Sequence, residues 1–523
     1  MKNACTPAQG GLVGRIVTIL VAGLLAMTAP AAEPVAPAGG GLSLSEALAA
    51  TLSKQLGVEV SRQQVTRQRG VLQSASGQFD WVFGSSFSKE IARTPTGTPP
   101  PYLAVKREDT NTYTVGLAKQ FRAGLTVTPH LAVVDASDNV STLAPVSYSQ
   151  LALKFALPLL RGFGHRATTA QERAARSALG AQEQYARYQV EQLVYQTTAS
   201  YWNCLAARRD LEILRDGTKR AEQIFATVEL YAQGGEIDSG TLDQARALVA
   251  SKRADEQQGE LTYFEARQSL ALAIGFGRTQ LSTPPEVAGE FPAVIDVTSI
   301  PPALGEKYVA EALERRGDYR AAGLNLAAEQ ALLEQARSNV KPRFDLELTL
   351  GYTGYDRRTD RFRPAYAVSN DLTGVNVLSA VTLEWPLPNN VARGALLSQR
   401  AKVEQIRLES EQSANGIAAN VLVALETLRT SIAQNAMSTA AVDTYRSALA
   451  QTGEKMRAGE SSLTDVIDME DRYASARRAR NETQRKYAVT LAQLRLLTGT
   501  LSNTTQRDAV IEVQNLTQVP FTR

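Results

Sequence analysis

Twice in this chain a short alternating strand stops at a proline and passes through glycine into a helical run far longer than the strand itself. In the first instance Gln150-Leu151-Ala152-Leu153-Lys154-Phe155-Ala156-Leu157 ends at Pro158, and Leu159-Leu160-Arg161-Gly162-Phe163-Gly164 leads into helix. In the second, Val381-Thr382-Leu383-Glu384-Trp385 ends at Pro386 and continues past Pro388 to Gly394. Proline cannot donate to a strand ladder and glycine accepts dihedrals closed to other residues, so these residue types suit a bend from strand into helix. A joint that occurs twice marks the chain as two repeats of one unit.

The rest of the pattern follows the same duplication, each half reading as helix, strands, long helix, hairpin, helix. The first half, residues 33–275, has a helix over Ser43–Ser76, strands within 79–157, a long helix over 166–233 and a returning helix over 240–275. The second, residues 306–499, has a helix over Glu306–Asn339, strands within 343–385, a long helix over 393–457 and a returning helix over 463–498. Both first strands are expected to open on the same pair, Phe79-Asp80 and Phe344-Asp345. Residues 276–305, with Pro284, Pro285, Pro292, Pro301 and Pro302, read as a connector, and 500–523 as a tail.

Residues 1–32 read as a secretory signal. Lys2 and Arg15 precede an apolar core, Ile16–Met27, too short to span a bilayer, and Ala29-Pro30-Ala31-Ala32 offers small residues for cleavage. A retained anchor is the alternative. No cysteine stands at that cleavage site, which argues against a lipid anchor, and with Cys5 inside the signal, Cys204 has no disulfide partner. The 56 basic residues less Lys2 and Arg15 leave 54 against 53 acidic ones, so no electrostatic case exists for nucleic acid. His130 and His165 lie far apart, and no metal-ligand spacing, phosphate loop or nucleophile elbow occurs. The expectation is therefore no metal, no cofactor and no enzymatic activity. Beyond the signal no stretch reads as a membrane helix of ~20 apolar residues, which leaves any membrane role to β-strands.

The strands alternate cleanly. Trp81, Phe83 and Phe87 share one face with Phe79 and oppose Asp80, Gly84, Ser86 and Ser88, while Phe344, Leu346, Leu348 and Leu350 oppose Arg343, Asp345, Glu347 and Thr349. Such runs suit a tilted membrane strand with a polar face toward a wet lumen, and equally a soluble sheet over a core. Two details favour the membrane. Large aromatics stand at all four helix junctions, Trp81, Phe155, Phe344 and Trp385, as at membrane interfaces. The connections far from the helices, Ile91–Asp109 and Asp356–Thr373, are long and polar. The first half has an extra alternating pair around Tyr113–Leu117 and Leu125–Val133, joined by Arg122-Ala123-Gly124. This pair either joins a barrel through a short turn or, as Pro129 suggests, folds over its mouth as a lid.

The long helices are rich in alanine and charge, and Leu211, Leu214, Thr218, Ala221, Phe225 and Val228 recur in alternating steps of three and four, a coiled-coil seam. Some 67 residues from Arg166 to Ala232 make a helix on the order of 100 Å long, which needs neighbours to be stable. One chain offers too few strands to close a wide barrel, so an oligomer is expected.

The long helices turn at Gly235-Glu236 and Gly459-Glu460, equivalent positions in the repeat. Asp465 and Asp468 follow, three residues apart on one helix face. Acids in a first turn stabilise the helix dipole; a ring of them at the mouth of an oligomeric channel would favour cations.

At these residues the chain resembles the TolC family of outer membrane efflux channels. The resemblance rests on Leu42-Ser43-Leu44-Ser45-Glu46-Ala47-Leu48, Pro158 to Gly164, Tyr201-Trp202-Asn203, Ala312-Leu313-Glu314-Arg315-Arg316-Gly317-Asp318-Tyr319 and Gly459 through Ala476, in that order. It implies an α+β membrane protein, a homotrimer whose transmembrane β-barrel in outer membrane lipid continues into a long periplasmic α-helical barrel. It further implies a passive export duct of a tripartite efflux or type I secretion system, with a periplasmic adaptor contacting the hairpin tips Gly235, Glu236, Gly459 and Glu460, and an inner-membrane transporter supplying cargo. Asp465 and Asp468 match the family's entrance aspartates. Met456, Ser461 and Thr241 replace the tyrosine, arginine and aspartate that lock the entrance of the family's best-known member, so closure here is expected to rest on other contacts. A soluble periplasmic coiled-coil scaffold with a small β-domain is the alternative.

Overall fold

The computed structural model describes residues 41–96, 104–140, 146–234, 238–295, 304–356, 374–501 and 516–518. The signal expectation for residues 1–32 lies outside them. From Leu42 onward the chain forms one compact unit. Its elements are α1 (Leu44–Lys54), α2 (Leu56–Ser76), β1 (Trp81–Thr96), β2 (Ala104–Gln120), β3 (Thr126–Asp138), β4 (Val146–Pro158), α3 (His165–Thr168), α4 (Ala170–Gln233) and α5 (Ser239–Ile274). The second half adds α6 (Leu304–Arg315), α7 (Gly317–Asn339), β5 (Arg343–Asp356), β6 (Val375–Glu384), α8 (Asn390–Arg457) and α9 (Leu463–Thr498).

Helices α4 and α8, 64 and 68 residues long, are stabilised along their length by antiparallel neighbours. α4 packs against α2, α5, α7 and α9, and α8 against α6, α7 and α9. Leu211, Thr218, Ala221 and Val228 of the seam are buried, and Gly259 of α5 lets Leu214 approach so closely that an added Cβ would stand 2.6 Å from its Cδ1. Two larger clusters sit midway along the bundle, one around Leu48, Tyr201, Leu205 and Ile274, the other around Tyr308, Leu425, Leu428, Tyr487 and Leu491. Contrary to expectation, one 18-residue window in α8, of mean hydropathy 1.2, is apolar enough by composition to cross a membrane. Ile417, Val421, Leu425, Leu428 and Ile432 of this helix instead pack into the second cluster.

The first helix of each half, expected as one piece, is two. Gln55 (φ −69°, ψ 118°) separates α1 from α2, and Arg316 (φ −60°, ψ 127°) separates α6 from α7. The cause lies in the returning helices. α5 ends at Gly275 (φ +93°), where an added Cβ would lie 2.7 Å from the Gln55 Cα; α9 ends at Gly499 (φ +65°), where it would lie 3.0 Å from the backbone of Arg315 and Arg316. Backbone presses on backbone at both places, and the positive φ admits glycine. The Gln55 amide then donates to the Leu272 and Ala273 carbonyls at 3.2 and 2.9 Å, capping α5.

The strands form one antiparallel sheet in the order β1-β2-β3-β4-β5-β6. The extra pair, β2 and β3, thus lies in the sheet between β1 and β4. The ladder between them runs from Glu108↔Asp138 to Gln120↔Thr126 and skips from Gly116↔His130 to Lys119↔Val127, a gap opposite Pro129, which has no donor to give. Register aligns the apolar positions from β2 to β6: Val115, Leu131, Leu151, Tyr352 and Val375 form one row, to which β1 adds Ser85, and Leu153, Leu350 and Val377 are part of the next. The other face has polar or small rows, as in Gly116, His130, Ala152, Gly351 and Asn376, and one bulky row, Val134, Tyr148 and Tyr355.

Two expectations are corrected here. Phe79 does not begin a strand; it ends a single 3-10 turn, Gly77–Phe79, is only 5% exposed, and carries the Arg122 guanidinium 4.7 Å over its ring. The polar stretch Ile91–Asp109 is not all loop, since β1 reaches Thr96 and β2 starts at Ala104. Charge pairing extends the strands beyond their apolar part: the Lys106 ammonium lies 3.3 Å from Asp138 and 3.6 Å from Glu108. Residues 97–103 and 357–373, with the rest of those polar connections, lie outside the described residues.

Candidate functional site

Three regions follow one another along the molecule: an exposed apolar sheet face, the joints to the helices, and the hairpin tips. On the sheet, Phe83, Phe87, Val375, Val377, Val381 and Leu383 are each more than half exposed, as are Trp81 (54%) and Trp385 (61%); Phe155 and Phe344 are half-buried. Full burial of such a side chain contributes ~1.5–3 kcal/mol, so these eight left more than half in water cost on the order of 10 kcal/mol per copy. A face of this kind is built for an apolar surrounding. Trp81 opens the edge strand β1 and Trp385 directly follows the other edge strand, β6, and the Lys119 ammonium sits 5.0 Å over the Trp81 ring.

At the first joint Pro158 closes β4, and the Leu159 N–H donates to the Phe344 carbonyl at 2.7 Å, latching the exit to β5. Gly162 (φ +79°) makes the bend; its N–H donates to Ser338 Oγ at 3.0 Å, and the Thr168 hydroxyl donates to its carbonyl at 3.0 Å. At the second joint the chain leaves β6 through Pro386 and turns at Asn389 (φ +60°), whose Nδ2 donates to the Val340 carbonyl at 3.0 Å. Both joints are therefore fastened to the C-terminal end of α7. The β2–β3 turn lies against the first joint and is fastened to the first turn of α4. An added Cβ on Gly124 would stand 3.1 Å from the Gly162 carbonyl, and Arg122 donates twice to Glu172, at 2.9 and 3.0 Å. Glu172 has a side chain only 6% exposed, and the hydrogen bonds from Arg122 hold its carboxyl below the usual carboxylate range. A polar cleft of about 390 Å³ opens at this level, lined by Gln120, Gly124, Pro158, Arg161, Gly162 and Arg343 among others.

At the tip, α8 ends with Gly459 (φ +76°); the Gly459 N–H donates to the Met456 carbonyl and the Glu460 N–H to the Lys455 carbonyl, at 3.0 and 2.8 Å. This closes the last turn of the helix. Ser462 then caps α9 reciprocally with Asp465: the Asp465 N–H donates to Ser462 Oγ at 3.2 Å, and its carboxylate accepts from Ser462 N and Oγ and from Ser461 Oγ. Those bonds, the Ser462 hydroxyl first, lower the carboxyl's pKa. Asp468 accepts from Arg472 at 2.8 Å, both side chains about half exposed. The two aspartates stay on one helix face near the tip, Asp465 bound into the cap and Asp468 in a surface ion pair. Gly235 and Glu236 lie outside the described residues.

The three substituted positions all have local partners. Ser461 bonds Asp465, Thr241 bonds the α5 cap residue Asp238, and Met456 packs into an apolar clasp of Val228, Ala245, Leu463, Phe225 and Ile467 that joins all four helices of the two hairpins. Sequence reasoning missed a second link. Arg220 of α4 grips the Glu470 carboxylate of α9 with contacts of 2.8, 2.9 and 2.7 Å, the Glu470 side chain only 1% exposed. Lys252 of α5 reaches Asp471 at 2.6 Å beside it. Partners 250 and 219 residues apart leave no local signal; only a glutamate on an otherwise buried helical position could have hinted at it.

The family described as outer membrane efflux protein matches residues 133–276 and 308–500. The pyoverdine export outer membrane protein OpmQ of Pseudomonas aeruginosa is 31% identical over 201 residues, 37% of this chain and 39% of that protein, so the alignment spans well under half of the relative. Among solved structures, the outer-membrane channel OprN superposes with a TM-score of 0.66 at 16% identity, over 87% of this chain and 90% of that one. The Campylobacter jejuni outer membrane channel CmeC gives 0.65 at 15% identity, over 87% and 85%. With both repeats matched in sequence and most of the chain matched in fold, this chain belongs to the outer membrane efflux protein family.

Proposed function

We propose that three copies of this chain form one transmembrane β-barrel continuous with a periplasmic helical barrel, a passive export duct of a tripartite efflux or type I secretion system. The observation that carries the reading is the apolar face of the six-stranded sheet, most exposed on β1, β2 and β6, and the two edges, β1 and β6, which have no neighbour among the described residues. The helices repeat the arrangement: α2 and α5 on one flank expose Val60, Leu261 and Phe264, and α8 on the other exposes Leu397, Leu422 and Val423. Pairing β1 with β6 of the next copy, and the α2–α5 flank with its α8, is a head-to-tail contact that closes into a ring and removes both sheet edges. Lipid covers the apolar face, and the polar face lines the lumen. Trp81, Phe155, Phe344 and Trp385 then mark the periplasmic interface, and the joints at Pro158, Gly162 and Pro386 the plane where membrane barrel becomes helical tunnel.

At the far end, the tips around Gly459 and Glu460, with Gly235 and Glu236, receive a periplasmic adaptor that connects an inner-membrane transporter. Asp465 and Asp468 from each copy surround the entrance and draw cations to it. The exposed face disfavours the soluble scaffold. Fractionation tests the choice: recovery with outer membranes, as a species three times the monomer mass, supports the duct, whereas release by osmotic shock as a soluble monomer contradicts it.

A further inference from the structure

We infer that the membrane exit of this channel is as wide as its helical tunnel, because the β2–β3 hairpin is part of the wall. The inference rests on the trimeric duct proposed above. The internal repeat pairs β1 with β5 and β4 with β6 as the strands that follow and precede equivalent helices. By that rule each half would supply two strands, yet the first supplies four, and β2 is one of the two additional ones.

Three observations make the hairpin wall rather than lid. It is hydrogen-bonded on both sides, β2 to β1 from Trp81↔Lys119 to Thr96↔Ala104 and β3 to β4 from Thr126↔Ala156 to Ala136↔Val146. Its side chains obey the two-faced pattern of its neighbours: Tyr113, Val115 and Leu117 sit beside Phe87, Ser85 and Phe83, and Leu131 and Val133 beside Val115 and Tyr113, while Thr112, Thr114 and Gly116 fall on the polar face. Its turn is clamped to the first turn of α4 by the Arg122–Glu172 pair and packs so near the joint that an added Cβ on Gly124 would stand 3.1 Å from the Gly162 carbonyl, at the level where the barrel meets the helices. A lid would need neither an outward apolar stripe nor an anchor at the periplasmic end.

Three copies of six strands give eighteen. At ~4.8 Å between strands and ~40° tilt, eighteen strands make a circumference of about 110 Å and a backbone diameter of about 36 Å. Twelve strands, the number the repeat alone would give, make about 75 Å and about 24 Å. Beside the joints each copy contributes four helices, α2, α4, α7 and α8, so the ring holds twelve; at ~9.5 Å spacing its circumference is also about 110 Å. The eighteen-strand wall therefore meets the helical ring without a neck. With side chains taking ~5 Å from each wall, the exit admits solutes up to about 25 Å across.

Electron cryomicroscopy of the full chain in lipid nanodiscs counts the strands. Eighteen, with residues 104–138 in the wall, is the expected result; twelve, with the hairpin outside the wall, overturns the inference. Spin labels placed by Val115→Cys, Leu131→Cys, Thr114→Cys and Ala132→Cys in a Cys204→Ala background give an independent readout. Positions 115 and 131 should collide several-fold more often with lipid-soluble oxygen than with a water-soluble nickel chelate, and positions 114 and 132 the reverse. Water exposure at all four overturns it. A twelve-stranded trimer in the outer membrane would remove this inference and leave the duct standing; absence from the membrane would remove the duct itself.

Discussion

Removing the Arg220 guanidinium should loosen the two hairpins from each other near the tip. Glu470 has a side chain 1% exposed and receives all three contacts from Arg220, at 2.8, 2.9 and 2.7 Å, so Arg220→Met leaves a buried carboxylate without its partner. Breaking a buried pair this way costs ~3–5 kcal/mol; because Arg220 is itself 27% exposed and water can reach the vacated side, about 2.5 kcal/mol is the appropriate figure. At 1.36 kcal/mol per tenfold, that is about a 70-fold loss of protection for amides that exchange through local opening. Hydrogen exchange read by mass spectrometry over Val466–Ala476 of α9 measures it. Arg220→Met with Glu470→Leu removes both charges and fills the site, and should return to within about 1 kcal/mol of the parent, or about fivefold. Exchange in Arg220→Met within about threefold of the parent, or a double variant as fast as the single one, would refute the assignment of this pair as the link.

Other expectations follow from single sites. Glu172 has a carboxyl pKa lowered in the fold by Arg122, so its contribution is fully present above the ordinary value of 4.5 and is lost as pH falls through the lower folded value. The Tm advantage of the parent over Glu172→Gln should therefore shrink on acidification below that range, and an advantage independent of pH would contradict the clamp. Gly275→Ala combines a positive φ with backbone 2.7 Å away and should destabilise by roughly 2–4 kcal/mol, whereas Gly453→Ala, near the C-terminal end of α8 with nothing within 4 Å, should stabilise by ~0.5–1 kcal/mol. Thermal unfolding distinguishes them. Asp465→Asn with Asp468→Asn should weaken cation selectivity and block by multivalent cations; unchanged selectivity in single-channel recordings would confine Asp465 to its cap and Asp468 to its ion pair.

Much of the fold is legible because its determinants are local. The two joints show in Pro158, Gly162 and Pro386, the long helices in their length and seam, and the sheet faces in period-two alternation, which register alone then had to align. What escaped the sequence depends on contacts between distant segments. The breaks at Gln55 and Arg316 carry no proline; they exist because Gly275 and Gly499, some two hundred residues further along, press their backbones there. Phe79 reads as a strand residue by alternation with Trp81, and the Arg122 turn that covers it comes from another hairpin. The choice between wall and lid for β2–β3 was open in the sequence because Pro129 disfavours an inner strand, and the ladder tolerates it by interruption on the β2 side. At the tip, Asp465 and Asp468 are visible as a pair, but the cap that engages one and the arginine that engages the other are features of side-chain packing.

The central claim is that this chain makes a water-filled passage through a membrane. Current across planar lipid bilayers tests it most directly. Purified trimer added to one side should give stepwise, ion-conducting openings of uniform size without any energy source. Protein shown to be inserted in the lipid that leaves the bilayer electrically silent would contradict it.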